Sequence, residues 1–395
     1  MNISERGRHV PPSPIRKLVP FAEMAKDKGV TVHHLNIGQP DIATPKQFFE
    51  AVATFPDKVV AYGHSLGFVT LRKAMAAYYQ RLGYGVEVDH LTITTGGSEA
   101  ILFAMMAICD AGDEIMCFEP FYTNYNGFSV QACVTLKPVR CMAEDGYHLP
   151  PRGVIEAQIG PRTRAILVCS PNNPTGTVLR RDEMQMLVDI ARERDLFIIS
   201  DEAYREFVYG EVPHTSVLQF PEVSDRAVLM DSLSKRYSLC GARVGCVIAQ
   251  NPDLRRVFLH LGQARLCSPS LEQHGSIPLL SLGDDYFQGV QAEYKQRRDA
   301  VMAGLAEIPN VQCRTPEGAF YVMARVPVKD AGRFAQWLLT SFRLDDETVM
   351  VAPGDGFYAT PGLGMDEIRI AYVLEVDRLK RAMRCLKHAL AQYKD

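Results

Sequence analysis

Between residues 90 and 250, short runs rich in Val, Ile and Leu alternate with longer stretches whose apolar positions recur at helical spacing. The runs 91–95, 114–118, 135–139, 165–169, 196–200, 227–231 and 244–249 are predicted strands, most of them bounded by Gly, Pro, Asp or Ser. The stretches 98–109 and 181–194 are predicted amphipathic helices between them. Such alternation builds an α/β unit, a mainly parallel seven-stranded sheet covered by helices on both faces. In open sheets of this kind ligands bind beyond the carboxyl ends of the strands. Four polar segments fall at such ends: Gly96-Gly97-Ser98, Asn172-Asn173-Pro174, Asp201 and Ser232.

The rhythm changes after residue 284. A long polar helix is predicted at 285–305, a strand at 318–322, a helix at 334–342, a short strand at 368–372 and a closing helix at 376–393. This mixed order suits a smaller α+β domain. The expected division is a large domain at 46–284 and a small one from 1–45 and 285–395, consistent with a length of 395 residues. The first residues, with Pro11, Pro12 and Pro14 ahead of an amphipathic stretch, join the small domain or cross to a partner subunit.

Composition narrows the classes. Hydrophobic residues make up 47% and charged residues 23%, which allows a sizeable core. The net charge of −3, with no basic block, speaks against non-specific nucleic-acid binding. No apolar stretch is long enough to span a bilayer, and Met1 to Arg6 lacks the apolar core of a signal peptide, so a cytoplasmic protein without a membrane partner is expected. None of the ten cysteines forms a CxxC pair; reduced, mostly buried thiols and no metal site are expected.

The densest chemistry lies in Ser232-Leu233-Ser234-Lys235-Arg236 and Gly241-Ala242-Arg243-Val244-Gly245. A lysine among hydroxyls and a guanidinium suits an aldehyde cofactor that carries a phosphate. The amine forms a Schiff base while Ser232, Ser234 and Arg243 hold the phosphate. A lone lysine beside serine is ordinary surface, so the ordered set carries the weight. Gly96-Gly97-Ser98 offers close backbone approach and the free N–H groups of a helix N-terminus. Asp201 at a strand end can pair with a ring nitrogen, or cap the turn that follows; the two are compatible. Arg369, between β-branched residues in Glu367-Ile368-Arg369-Ile370-Ala371, needs an anion if buried. A carboxylate gripped by the planar fork supplies it, and an internal ion pair is the alternative. Arg265 is a candidate reader of a second, distal carboxylate, or else a surface or interface ion pair.

Read in order from Gly38 in Asn36-Ile37-Gly38-Gln39-Pro40, through Pro171-Asn172-Asn173-Pro174-Thr175-Gly176, Asp201-Glu202-Ala203-Tyr204 and Lys235, to Arg369, the chain resembles pyridoxal-phosphate aminotransferases of the aspartate aminotransferase superfamily. The resemblance implies the type I fold of these enzymes, pyridoxal 5′-phosphate as cofactor, and transfer of an amino group from an L-amino acid to a 2-oxo acid in ping-pong half-reactions. It assigns Lys235 as covalent anchor and proton shuttle, and Asp201 as partner of the pyridine nitrogen. Tyr204 and Asn173 become donors to the phenolic oxygen, with Gly97, Ser98, Ser232, Ser234 and Arg243 around the phosphate. Tyr122 stacks on the ring. Gly38, Tyr122, Asn173 and Arg369 contact substrate, Arg369 taking its α-carboxylate. Tyr62 reaches the cofactor phosphate of a neighbouring subunit, which implies a homodimer with shared active sites. Aspartate is the favoured donor, because the motifs look like those of bacterial aspartate aminotransferases. Aromatic, alanine, kynurenine and methionine aminotransferases share them, and a β-eliminating carbon–sulfur lyase would use the same lysine and aspartate.

Overall fold

The computed structural model describes residues 2–210 and 212–395. The first strand, β1 (Thr31–His34), belongs to the smaller unit. The next seven are β2 (Leu91–Thr95), β3 (Glu114–Glu119), β4 (Thr135–Arg140), β5 (Thr163–Cys169), β6 (Phe197–Asp201), β7 (Ala227–Ser232) and β8 (Val244–Ala249). They form one sheet in the order β2-β8-β7-β6-β5-β3-β4. Only β8 runs against its neighbours, so the sheet is mainly parallel, as the alternating pattern predicts.

Both faces of this sheet are covered, which is why its strands read as unbroken apolar runs. Side chains alternate between faces: Ile93, Ile166, Ile198, Leu229 and Ile248 enter one core, while Ile115, Leu167, Ile199, Val228 and Val247 enter the other. The helix Arg181–Glu193 packs Met184, Leu187 and Val188 on the first face. Gly96–Ile108 packs Ala100, Ile101, Ala104 and Met105 on the second.

A further core draws on residues 18–35 and 294–389, with Tyr204 and Phe207 reaching into it. Its strands are β9 (Gln312–Cys313), β10 (Tyr321–Arg325), β11 (Glu347–Met350), β12 (Ala352–Pro353) and β13 (Glu367–Ala371). Four of them form an antiparallel sheet, β12-β13-β10-β9, and β1 pairs in parallel with β11. The strand expected at 318–322 lies instead at Tyr321–Arg325. Ala319 sits in the left-handed region at φ 53°, and its N–H donates to the Phe207 carbonyl at 2.9 Å, in an isolated antiparallel bridge of Gly318 with Val208 rather than in the sheet. The helix expected at 334–342 starts earlier, at Ala331, because the Asp330 side chain caps it by accepting from the Arg333 N–H at 3.0 Å.

The N-terminal stretch begins with a short helix. Its helix Glu5–His9 lies against Asn124–Ala132, and Arg6 Nη1 donates to Cys133 Sγ at 3.4 Å. Among the described residues no helix is long and apolar enough to cross a membrane.

Candidate active site

The strand register gathers the chemistry at one edge. Cys169 of β5 lies beside Asp201 of β6, and Ser232 of β7 lies beside Gly245 of β8. Thr95, the last residue of β2, pairs with Val244. Because β8 runs the opposite way, its beginning, just after Arg243, meets the ends of its neighbours. Beyond this edge opens a cleft of about 680 Å³. It brings together Gly38, Gly97, Ser98, Tyr122, Asn173, Asp201, Tyr204, Ser232, Ser234, Lys235, Arg243 and Arg369. Two candidates lie elsewhere. Tyr62 stands on the surface at 80% exposure. Arg265 is paired with Glu99 at 3.0 Å and donates to the Ser65 carbonyl at 3.0 Å, bracing the start of the helix Gly96–Ile108.

One end of the cleft is shaped for an anion. Gly96 has φ 73°, and a Cβ there would come within 2.6 Å of Arg243 Nη2; one on Gly245 would come within 2.6 Å of the Gly96 carbonyl carbon. Only glycine permits that approach. Ser232 Oγ and Ser234 Oγ lie 2.8 Å apart, and Ser232 caps the short helix Leu233–Arg236 that carries Lys235. Behind them Asp231, fully buried, accepts from the Ser232 N–H at 2.7 Å, Tyr79 OH at 2.6 Å and Arg236 Nη2 at 2.6 Å. Removing one of these donors leaves a buried carboxylate short of a partner. Tyr79→Phe is therefore expected to lower stability by about 1.5–3 kcal/mol, seen as a fall in urea midpoint at unchanged slope.

Lys235 Nζ donates to the Gly38 carbonyl at 2.8 Å and lies 3.6 Å from Cys240 Sγ. Desolvation lowers the pKa of this ammonium; Cys240 opposes the shift, and Arg369 and Arg243 add to it. A larger share of the amine is thus free to act as nucleophile and base. Asp201 accepts from Tyr125 OH at 2.7 Å and from the Ala203 N–H at 3.2 Å. Burial pushes its carboxyl up to about 6, against the pull of those two hydrogen bonds. The Ala203 contact means that Asp201 also caps its local turn. Tyr125 packs in the core and orients this carboxylate as well.

Also lining the cleft, Arg369 is buried on β13, facing Met323 and Ala352 across the sheet. Nη1 donates to Asn173 Oδ1 at 2.9 Å and Nη2 to the Asn36 carbonyl at 2.5 Å, while Nε has no partner. The rings of Tyr321 and Phe357 lie 4.4 and 4.9 Å from the guanidinium carbon. Among the described residues no carboxylate pairs with Arg369, so the internal ion pair is not its role. Tyr321, which sequence reading treats only as part of a strand, meets Tyr204 OH at 2.7 Å. A Cβ at Gly38 would overlap its phenol, which accounts for glycine there. No local pattern marks Tyr321, because its place depends on the pairing of β10 with β13.

These residues fit pyridoxal phosphate. The glycine-lined end with two hydroxyls and Arg243 suits its phosphate, Lys235 its aldehyde and Asp201 its ring nitrogen.

Comparison with known proteins agrees. Residues 30–386 match the family Aminotransferase class I and II. An aspartate aminotransferase from Pyrococcus horikoshii is 30% identical, over 98% of this chain and 97% of that protein. The solved structure of an aspartate aminotransferase from Thermotoga maritima superposes with a TM-score of 0.90 at 28% identity, covering 99% of this chain and 100% of that one. An alanine aminotransferase from Pyrococcus furiosus gives the same TM-score, identity and coverage. Its fold, this cleft and a family match over most of its length together establish that the chain belongs to the class I and II aminotransferases, enzymes that depend on pyridoxal 5′-phosphate.

Proposed function

We propose that this aminotransferase moves the amino group of an acidic L-amino acid, aspartate foremost, to a 2-oxo acid such as 2-oxoglutarate. The observation that carries the reading is the convergence of a desolvated amine, Lys235, and a buried guanidinium without a carboxylate partner among the described residues, Arg369, on one cleft. Relatives named as aspartate aminotransferases support the choice of donor.

Bound pyridoxal phosphate supplies an aldehyde that takes up the amino group and a ring that accepts electrons from the α-carbon. The protein's own residues do the rest. Ser232, Ser234, Arg243, Gly97 and Ser98 hold the phosphate, and Tyr122 covers the ring. Asp201 keeps a proton on the ring nitrogen, while Tyr204 and Asn173 donate to the phenolic oxygen. Arg369 fixes the substrate α-carboxylate, aided by Gly38, so that the α-hydrogen faces Lys235. With the cofactor bound, the Lys235 amine would be placed to take the α-proton and to give it back. Division into units 46–284 and 1–45 with 285–395 would let the cleft close on substrate, with Lys235 and Gly38 meeting across the boundary.

We place the enzyme in the cytoplasm as a homodimer whose sites are shared through Tyr62. The exposure of Tyr62 together with Val59 and Val60 supports a partner there. Mixing Tyr62→Ala chains with Lys235→Ala chains is expected to yield hybrid dimers with one intact site and activity above either parent. No recovery in verified hybrids would confine Tyr62 to its own subunit or to no site. The reaction itself is tested by offering the purified holoenzyme several L-amino acids, with and without 2-oxoglutarate, while following the cofactor spectrum and the products. Aspartate consumption that depends on the oxo acid is expected; pyruvate and ammonia without any acceptor would replace the transferase by a lyase.

A further inference from the structure

Four cations line the cleft, Arg16, Lys235, Arg243 and Arg369, against a single carboxylate, Asp201. Three of them are engaged: Lys235 with the Gly38 carbonyl, Arg243 with the Cys240 carbonyl, and Arg369 with Asn173 and Asn36. The fourth differs. Arg16 is exposed, and among the described residues its side chain makes no ion pair or hydrogen bond. Its backbone is nonetheless held in place. Arg16 N donates to Ser13 Oγ at 3.3 Å, Leu18 two residues on is buried, and Pro14 packs so closely on Gly356 that a Cβ there would overlap it.

The neighbour of Arg16 tells which end of the cleft it serves. Ile15 packs on the small cluster of Met323, Ala352 and Phe357. Phe357 in turn lies 4.9 Å from the Arg369 guanidinium. Through Ile15 and Phe357, Arg16 is tied to the part of the cleft that holds Arg369, where substrate would bind. With Arg243 assigned to the phosphate and Arg369 to the α-carboxylate, one cation remains for one more anionic group. We propose that Arg16 is a specificity-determining residue that binds the side-chain carboxylate of dicarboxylic amino and oxo acids, a role that rests on the transaminase reading above. Its backbone is preorganised while its fork is free, so binding a carboxylate orders only one side chain.

The test uses the holoenzyme and its Arg16→Ala and Arg16→Lys variants, each measured for kcat/KM with aspartate, glutamate, alanine and phenylalanine. Arg16→Ala is expected to reduce the ratio of aspartate to alanine kcat/KM by about 10- to 100-fold, mainly through KM, with Arg16→Lys recovering part of it. Binding of succinate and of propionate, followed by calorimetry, gives a readout independent of turnover. Succinate affinity should fall by a similar factor and propionate affinity should not. Parallel losses on both classes, or an unchanged ratio with unchanged succinate binding, would overturn the assignment. A wild-type enzyme that transaminates no donor would overturn the transaminase reading, while the succinate and propionate comparison would still decide Arg16.

Discussion

Replacing Lys235 by alanine is expected to lower turnover by more than about 10,000-fold with every amino donor. One side chain holds the cofactor covalently and also carries the α-proton, so no neighbour can substitute for it. Cys240 lies 3.6 Å from the amine, but a thiol cannot return a proton with the basicity of an amine. Folding should be little affected. The amine's hydrogen-bond acceptor is a backbone carbonyl, and its loss costs about 1 kcal/mol. Two measurements check this. Borohydride treatment followed by mass spectrometry should fix cofactor mass on the peptide containing Lys235 in the parent enzyme and on no peptide of the variant. Circular dichroism should leave the two indistinguishable. Retained turnover together with retained covalent labelling would remove Lys235 from its role.

Asp201→Asn should separate activity from stability. The amide keeps the shape but cannot hold a proton on the ring nitrogen, so turnover is expected to fall by about 100- to 10,000-fold. In protein stripped of cofactor the same change should stabilise. Burial raises the folded-state carboxyl to about 6 from a usual 3.8. A raised carboxyl pKa means that the Asp201 contribution is fully present below pH 4 and is lost as pH climbs through about 6. A rise of that size corresponds to about 3 kcal/mol at neutral pH. The stability advantage of Asp201→Asn over the parent should thus be near zero at pH 4, grow up to pH 6 and level off above it. Urea titrations at several pH values measure it. An advantage independent of pH would mean that ionisation of Asp201 is not its source.

Much of the fold and site is readable from residues in order. The seven strands of the large sheet are apolar runs bounded by turn formers, and a sheet covered on both faces demands such runs. Chemistry placed at their carboxyl ends is equally legible, because parallel strands bring those ends to one edge. What escapes depends on contacts remote in sequence. Arg265 pairs with Glu99 across 166 residues, so its local surroundings carry no hint that its charge is already committed. Tyr321 meets Tyr204 only through the pairing of β10 with β13, and Tyr125 reaches Asp201 from a helix that looks purely structural. Arg16, in a proline-rich stretch, resembles any surface arginine until the fold lays that stretch along the cleft. The misplaced strand at 318–322 has a local cause: an alanine held in a left-handed conformation by a carbonyl of another segment.

The position of β8 in the sheet has a bearing on how the enzyme is made. As the chain leaves the ribosome, β3, β5, β6 and β7 find partners close behind them, whereas β2 has none until β8 has been synthesised. The glycine turn after β2 and Arg243 ahead of β8 then meet as the last seam of the large sheet, after the longest loop closure. A ligand that binds only across a finished seam favours the folded chain by mass action. The supply of the vitamin-derived cofactor during translation therefore weighs on how much enzyme survives its own folding, as well as on how much of it is active.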